Sequence, residues 1–168
     1  MDNELLIREA GEEEINTIGF LAQQIWPEAY KDILNPAQLK YMLDLFYSPA
    51  SLKEQIRKKA HKFLLTELKE EPVGFGSYSP SDSMQSYKLH KLYVLPQIQG
   101  KGIGKAIIDF IVDDIRPSNA SSLILNVNRY NKARSFYEKL GFKVIGEEDV
   151  DIGNGYFMND YVMELNLI

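Results

Sequence analysis

At 168 residues, with 45% apolar and 26% charged side chains, the chain is long enough for one hydrophobic core and too apolar for disorder. It has no cysteine, which excludes disulfides, thiolate metal sites and a cysteine nucleophile. A net charge of -5 lacks the basic excess of a nucleic-acid-binding face, and no apolar run approaches the roughly 18 residues that span a bilayer. The start, Met1-Asp2-Asn3-Glu4, is acidic where a secretory leader is basic, so a cytoplasmic protein is expected.

In chain order, Leu5–Arg8 reads as a short strand that Gly11 breaks. Glu12, Glu13 and Glu14 put negative charge at a helix N-terminus, where the peptide dipole favours it. Ile15, Ile18, Leu21, Ala22 and Ile25 then keep helical spacing. Trp26-Pro27 predicts an end or a kink there, because the residue before proline avoids helical backbone. Asn35-Pro36 and Ser48-Pro49 each pair a capping side chain with proline at the first helical position. They predict two more helices, one carrying Leu39, Met42, Leu43 and Phe46, the next Leu52 and Ile56.

Lys62–Leu68 and Val73–Tyr78 read as a hairpin about the polar turn 69–72, and His61, beside Lys58, Lys59 and Lys62, reads as solvated. A polar loop over 79–86 leads to a strand from Tyr87 to Val94. A helix from Gly102 to Ile115 follows, and Arg116-Pro117-Ser118 stops it. Strands over 142–152 and 156–166, joined by Gly153-Asn154-Gly155, close the chain as a second hairpin. Antiparallel hairpin strands come first, then two strand–helix units, then a closing hairpin. This order predicts a single domain over residues 1–168, an α/β (mixed α+β) fold with a central mixed sheet and helices on both faces.

The densest chemical signal is Leu92-Tyr93-Val94-Leu95-Pro96-Gln97-Ile98-Gln99-Gly100-Lys101-Gly102-Ile103-Gly104-Lys105. An apolar strand ends at a proline, a glycine-dense turn follows, and a helix begins. The first N–H groups of a helix lack internal partners, and glycines let an anion approach the backbone, so the segment predicts an anion cradle. A P-loop is excluded, since Lys105, Ala106 and Ile107 stand where Gly-Lys-Ser/Thr is needed. A dinucleotide fingerprint is excluded too, since Lys105 occupies its third glycine position.

What remains is Gln99-x-x-Gly102-x-Gly104, followed downstream by Asn131-Lys132-Ala133-Arg134-Ser135-Phe136-Tyr137-Glu138-Lys139-Leu140-Gly141-Phe142. Together these segments resemble the GCN5-related N-acetyltransferase (GNAT) superfamily. Its acetyl-CoA loop reads Gln/Arg-x-x-Gly-x-Gly/Ala, and its later signature is an Asn, an Ala, then Phe-Tyr-x-Lys-x-Gly-Phe. The resemblance implies a mostly antiparallel, splayed seven-stranded sheet and acetyl-CoA as donor, with no metal. It implies direct acetyl transfer to a primary amine: a small amine such as a polyamine, or a protein N-terminus. Nucleic acid and membrane are not expected partners, and a homodimer is compatible with the fold. The alternative is a non-catalytic acyl-CoA-binding module that senses CoA.

The same resemblance implies roles for individual residues. Backbone N–H groups of Gln99, Gly100, Lys101, Gly102, Ile103, Gly104 and Lys105 would hold the pyrophosphate. Main-chain groups of Leu92, Tyr93 and Val94 would hold the pantetheine arm and the thioester carbonyl. Asn131 and Ala133 fall at cofactor-contacting positions, although Asn131 equally suits a helix N-cap. Tyr137 stands where the family places the general acid for the leaving thiolate. It also belongs to the stripe Ala133, Phe136, Tyr137, Leu140, which reads as core. No carboxylate lies on the strand 87–94, which leaves His90 or a water as base. An imidazole near pKa 6.5 suits the task, and a histidine exposed on the sheet is the other reading. Trp26, Glu28, Tyr30, Tyr156 and Asp160 are candidates for the amine site, Trp26 and Tyr30 forming an i, i+4 pair able to hold a cation or to seal the helix bend. The helical region from Trp26 to Phe46 and the closing Asp160-x-x-Met163 are faintly similar to PaiA-type polyamine acetyltransferases.

Overall fold

The computed structural model describes residues 4–83 and 85–168; most of the acidic start lies outside the described residues. The elements in order are β1 (Leu5–Ala10), α1 (Ile15–Ala29), α2 (Pro36–Tyr47), α3 (Pro49–Arg57), β2 (Lys62–Leu68), β3 (Glu71–Pro80) and β4 (Ser86–Val94), then α4 (Ile103–Ile115), β5 (Ser122–Asn128), α5 (Ala133–Lys139), β6 (Lys143–Gly153) and β7 (Tyr156–Asn166). The strands follow the order β1-β2-β3-β4-β5-β7-β6. β4 and β5 pair in parallel from Ser86↔Ser122 to Leu89↔Leu125. The β1–β2, β2–β3, β5–β7 and β6–β7 pairs are antiparallel. The expected class is thus the one found: mixed α/β, with a seven-stranded, mostly antiparallel open sheet. By contacts the chain divides into two compact units, Met1–Ser79 with Lys91–Ile111, and Pro80–His90 with Val112–Ile168, so β4 and α4 contribute to both.

The helix starts form as their sequences dictate. Asn35 Oδ1 accepts from Gln38 N at 2.8 Å, and Ser48 Oγ accepts from Ser51 N at 3.2 Å, each with proline at the next position. Pro27 does not end α1, which continues to Ala29, with Tyr30 N donating to Trp26 O at 3.0 Å. So near the C-terminus a proline forfeits a single helical bond, and the buried Ile25 and Trp26 anchor the final turn. The first hairpin turns on Lys69 (φ 52) and Glu70 (φ 67), both left-handed although neither is glycine, and β3 therefore begins at Glu71 rather than Val73. The last hairpin uses Asn154 (φ 56) and Gly155 (φ 80), the backbone its Asn-Gly pair favours.

In the first unit the buried set includes Ile18, Leu21 and Ile25 of α1, Leu52 of α3, Phe63 to Leu65 of β2, Phe75 of β3 and Ile107 of α4. In the second it includes Leu123 and Leu125 of β5, Phe142, and Met163 of β7. Within the first unit, β3 runs unusually close to β4. A Cβ on Gly74 would lie 2.7 Å from Tyr93 O, and one on Gly76 3.2 Å from Lys91 O. Gly74→Ala should therefore push β3 off β4 and lower stability by about 1–3 kcal/mol, as overpacking does. Urea denaturation measures the loss, and an unchanged midpoint would show that β4 yields without strain.

Candidate active site

The cradle is built by the first unit. β4 is fixed at its end where Leu95 N donates to Val73 O at 2.8 Å, and a single 3-10 turn, Pro96–Ile98, follows. Gln99 Nε2 then donates to Val94 O at 3.2 Å, tying the turn back to the strand end. Gly100 (φ 84) and Gly102 (φ 78) occupy left-handed backbone, and a Cβ at either would meet nothing within 4 Å. Glycine is needed there for conformation, and its bare face is open. The bond from Ala106 N to Gly102 O, 3.0 Å, belongs to the first turn of α4. The amides of Ile103, Gly104 and Lys105 precede it and have no acceptor inside the helix. The positive end of the helix dipole lies at the same place. Lys105 Nζ is engaged by Asp109 Oδ2 at 2.7 Å, so the part of Lys105 turned to the cradle is its main chain. These donors suit a phosphate group.

Two of the aromatic candidates, Trp26 and Tyr30, are brought together in the same unit. Trp26 and Tyr30 are buried, with ring centroids 4.6 Å apart, and Trp26 also packs on Tyr47 (5.4 Å) and Tyr93 (5.6 Å). Tyr30 and Tyr93 hydroxyls lie 2.8 Å apart. Glu28 is exposed and pairs with Lys31 Nζ at 2.7 Å, an ordinary surface ion pair. Burial pushes the Tyr47 phenol well above the usual range.

Sequence reasoning missed Lys91. This strand lysine is only 9% exposed. Its Nζ donates to Gln55 Oε1 at 2.6 Å and lies 5.6 Å from the Tyr47 ring centroid and 5.5 Å from that of Phe63. Gln55 is buried too, and its Nε2 donates to Phe46 O (2.9 Å) and Ser51 Oγ (3.0 Å), which turns its oxygen to the lysine. A signal existed: Gln55 sits in the stripe with Leu52 and Ile56, and a polar residue on an apolar stripe needs a buried partner. His61 is likewise half-buried rather than solvated, its N donating to Gln55 O at 2.9 Å.

Burial, with the charge of Lys59 as the lesser cause, pushes the Lys91 ammonium down to about 7. Its folded value then lies below its unfolded one, so the native state binds fewer protons between them. The destabilisation is complete below about pH 7 and fades as pH rises toward about 10.5. Lys91→Met should raise stability by about 1–3 kcal/mol at pH 6 and by little at pH 10. Denaturation at both pH values checks this, and an equal gain at the two would mark a packing effect.

The second unit carries the other candidates. Asn131 Oδ1 accepts from Ala133 N at 2.9 Å, but the N-cap position of α5 is Lys132, so Asn131 lies one residue ahead of the cap expected of it. Of the stripe on α5, Tyr137 alone is buried; Ala133, Phe136 and Leu140 are half-buried. The Tyr137 ring packs on Phe136 (5.2 Å) and Phe142 (5.5 Å). His90 is half-buried. Burial does not alternate past it: Leu92 and Tyr93 are both half-buried between buried Lys91 and Val94.

Tyr156 opens β7 opposite Gly153 and is half-buried. Asp160 is 2% exposed, and its Oδ2 accepts from Asn126 Nδ2 at 3.3 Å, a nitrogen that also donates to Glu148 Oε2 at 2.9 Å. Burial raises the Asp160 carboxyl above its ordinary range, and the bond from Asn126 opposes that. Among the described residues, no group of three or more His, Cys, Asp or Glu could hold a metal ion. Among them, too, no helix is long and apolar enough to cross a membrane.

Comparison with known proteins converges on one family. A profile described as "Acetyltransferase (GNAT) domain" matches residues 22–165. An uncharacterized N-acetyltransferase of Mycobacterium tuberculosis is 26% identical over 156 residues, 92% of this chain and 99% of that protein. A peptidyl-lysine N-acetyltransferase of Salmonella typhimurium is 35% identical over 89 residues, 52% of this chain and 54% of that protein. The crystal structure of the PaiA N-acetyltransferase of Thermoplasma acidophilum in complex with coenzyme A has a TM-score of 0.81 to this chain. Its sequence identity is 26%, with 96% of this chain and 98% of that one covered.

Proposed function

Because the chain belongs to the GNAT acetyltransferase family, we propose that it transfers acetyl directly from acetyl-CoA to a primary amine in the cytoplasm. One observation carries the reading. An open turn with left-handed Gly100 and Gly102 leads into the N-terminus of α4 directly after β4, where a diphosphate finds several main-chain donors and positive dipole charge. Bound acetyl-CoA would supply the activated acyl group. The C–N bond forms as the C–S bond breaks, the amine loses a proton and the thiolate gains one.

The chain's own groups divide that work. Amides from Gly100 to Lys105 bind the diphosphate, the expected Gln99 N–H being donated instead to Pro96 O at 3.3 Å, and main-chain groups of Leu92, Tyr93 and Val94 align the arm and polarise the thioester carbonyl. An amide aimed at a developing oxyanion is worth roughly 3–4 kcal/mol in comparable sites. Tyr137 protonates the leaving sulfur, its ring fixed by Phe136 and Phe142. Asn131 and Ala133 support the arm from the start of α5. A protonated amine near pKa 10 cannot attack, so the free amine attacks, and His90, or a water, accepts the proton it loses as the C–N bond forms. For the acceptor, Trp26, Glu28 and Tyr30 are the candidates on the first unit and Tyr156 and Asp160 those on the second.

The first test is calorimetry with CoA, then thiol release with acetyl-CoA and a panel of alkylamines, spermidine, an amino sugar and a peptide with a free N-terminus. Heat with CoA and turnover with at least one amine are expected; heat without turnover would indicate a sensor. Gly102→Glu should remove the heat through steric and charge conflict at the cradle, and retained affinity would move the diphosphate elsewhere. Tyr137→Phe should lower kcat about 10²-fold with little change in the KM for acetyl-CoA. Equal loss in both would assign Tyr137 to packing. His90→Ala should remove the acidic limb of the pH–rate profile, and an unchanged profile would leave water as the base.

A further inference from the structure

The reading above uses only the main chain of Tyr93. Its side chain is held as firmly as its backbone. The ring packs against Trp26 at 5.6 Å and Phe75 at 5.7 Å, and its hydroxyl meets that of Tyr30 at 2.8 Å, across 63 positions of sequence. Tyr30 is anchored in turn. Its N–H donates to Trp26 O at 3.0 Å, and its carbonyl accepts from Ile33 N (3.0 Å) and Leu34 N (2.9 Å). Tyr30 is buried, whereas Tyr93 is only half-buried, so the pair has an inner anchor and an outer member with some exposure.

A phenol offers one donor and two acceptor positions. Two in contact accept an N–H and donate an O–H without bringing formal charge. Such a pair suits a neutral amine, which can donate its N–H to a hydroxyl oxygen while its lone pair remains for attack. An ammonium is better served by a carboxylate. We propose that the Tyr30–Tyr93 hydroxyl pair selects the acceptor in its uncharged form, Tyr93 accepting the amine N–H and Tyr30 fixing the Tyr93 hydroxyl. This rests on the acetyl-transfer reading, which runs the thioester along Leu92–Val94, the segment that carries Tyr93. Tyr93 is then a substrate-contacting residue and Tyr30 a positioning residue.

Steady-state kinetics of the full chain with the panel amine turned over fastest test this. Tyr93→Phe should raise the amine KM about tenfold, the worth of one hydrogen bond, while the acetyl-CoA KM stays within about twofold. Tyr30→Phe should act in the same direction and more weakly. The double variant should match Tyr93→Phe, because Tyr30 acts through Tyr93. An unchanged amine KM, an equal rise in both KM values, or additive single effects would overturn the proposal. Both changes keep the ring, and if Tyr30→Phe unfolded, the ratio of the two KM values in Tyr93→Phe alone would still decide. No turnover by the unaltered protein with any amine would defeat the acetyl-transfer reading; turnover indifferent to Tyr93→Phe defeats only this inference.

Discussion

The close approach of β3 to β4 is the constraint on which the cofactor side rests. With no side chain at Gly74 or Gly76, two backbones lie where a Cβ would collide with the carbonyl of Tyr93 and crowd that of Lys91. β4 is thereby fixed to its last residues. The bond from Leu95 N to Val73 O and the tie from Gln99 Nε2 to Val94 O carry that rigidity into the glycine turn. A cradle made of main-chain amides works only if those amides are aimed before the anion arrives, since aiming them on binding would spend affinity on ordering. The strand supplies that order.

Much of this was legible in the sequence because main-chain recognition leaves a sequence trace. Amides can point at a ligand only where the backbone takes unusual dihedrals and no Cβ intervenes, and both demands select glycine. Hence Gly100 and Gly102 marked the turn, as Asn35-Pro36 and Ser48-Pro49 marked helix starts through caps that the structure forms. The order of hairpins and strand–helix units fixed the class of sheet for a similar reason: local turn chemistry and connection lengths restrict which strands can pair. The errors came where local rules met tertiary packing. Of the end or kink expected at Pro27, the end does not occur: the helix reaches Ala29 above a buried Ile25 and Trp26. Lys69 and Glu70 make a tight turn without glycine, which no propensity would select.

The side-chain half of the site was harder to read. Lys91 looks like any strand lysine until α3 places Gln55 beside it and Tyr47 and Phe63 close over it. Asp160 is an acceptor candidate by its place on the last hairpin; its burial and its link through the Asn126 amide to Glu148 depend on the register of β5, β6 and β7. In both cases the identity of the residue carries little information, and the desolvation that changes its chemistry comes from elements distant in sequence.

This difference explains why one substrate of the proposed reaction is easier to infer than the other. A diphosphate and an extended arm are bound by repeating backbone groups, and any chain that binds them so must satisfy the same conformational rules. An amine is distinguished by side chains, and these come from separate elements, as Tyr30 at the end of α1 and Tyr93 on β4 do. Their 2.8 Å contact follows from the packing of Trp26 and Phe75 around Tyr93, not from any spacing in the sequence. Acceptor choice can therefore drift by changes at single packed aromatics while the glycine turn, whose dihedrals tolerate few substitutions, stays as it is.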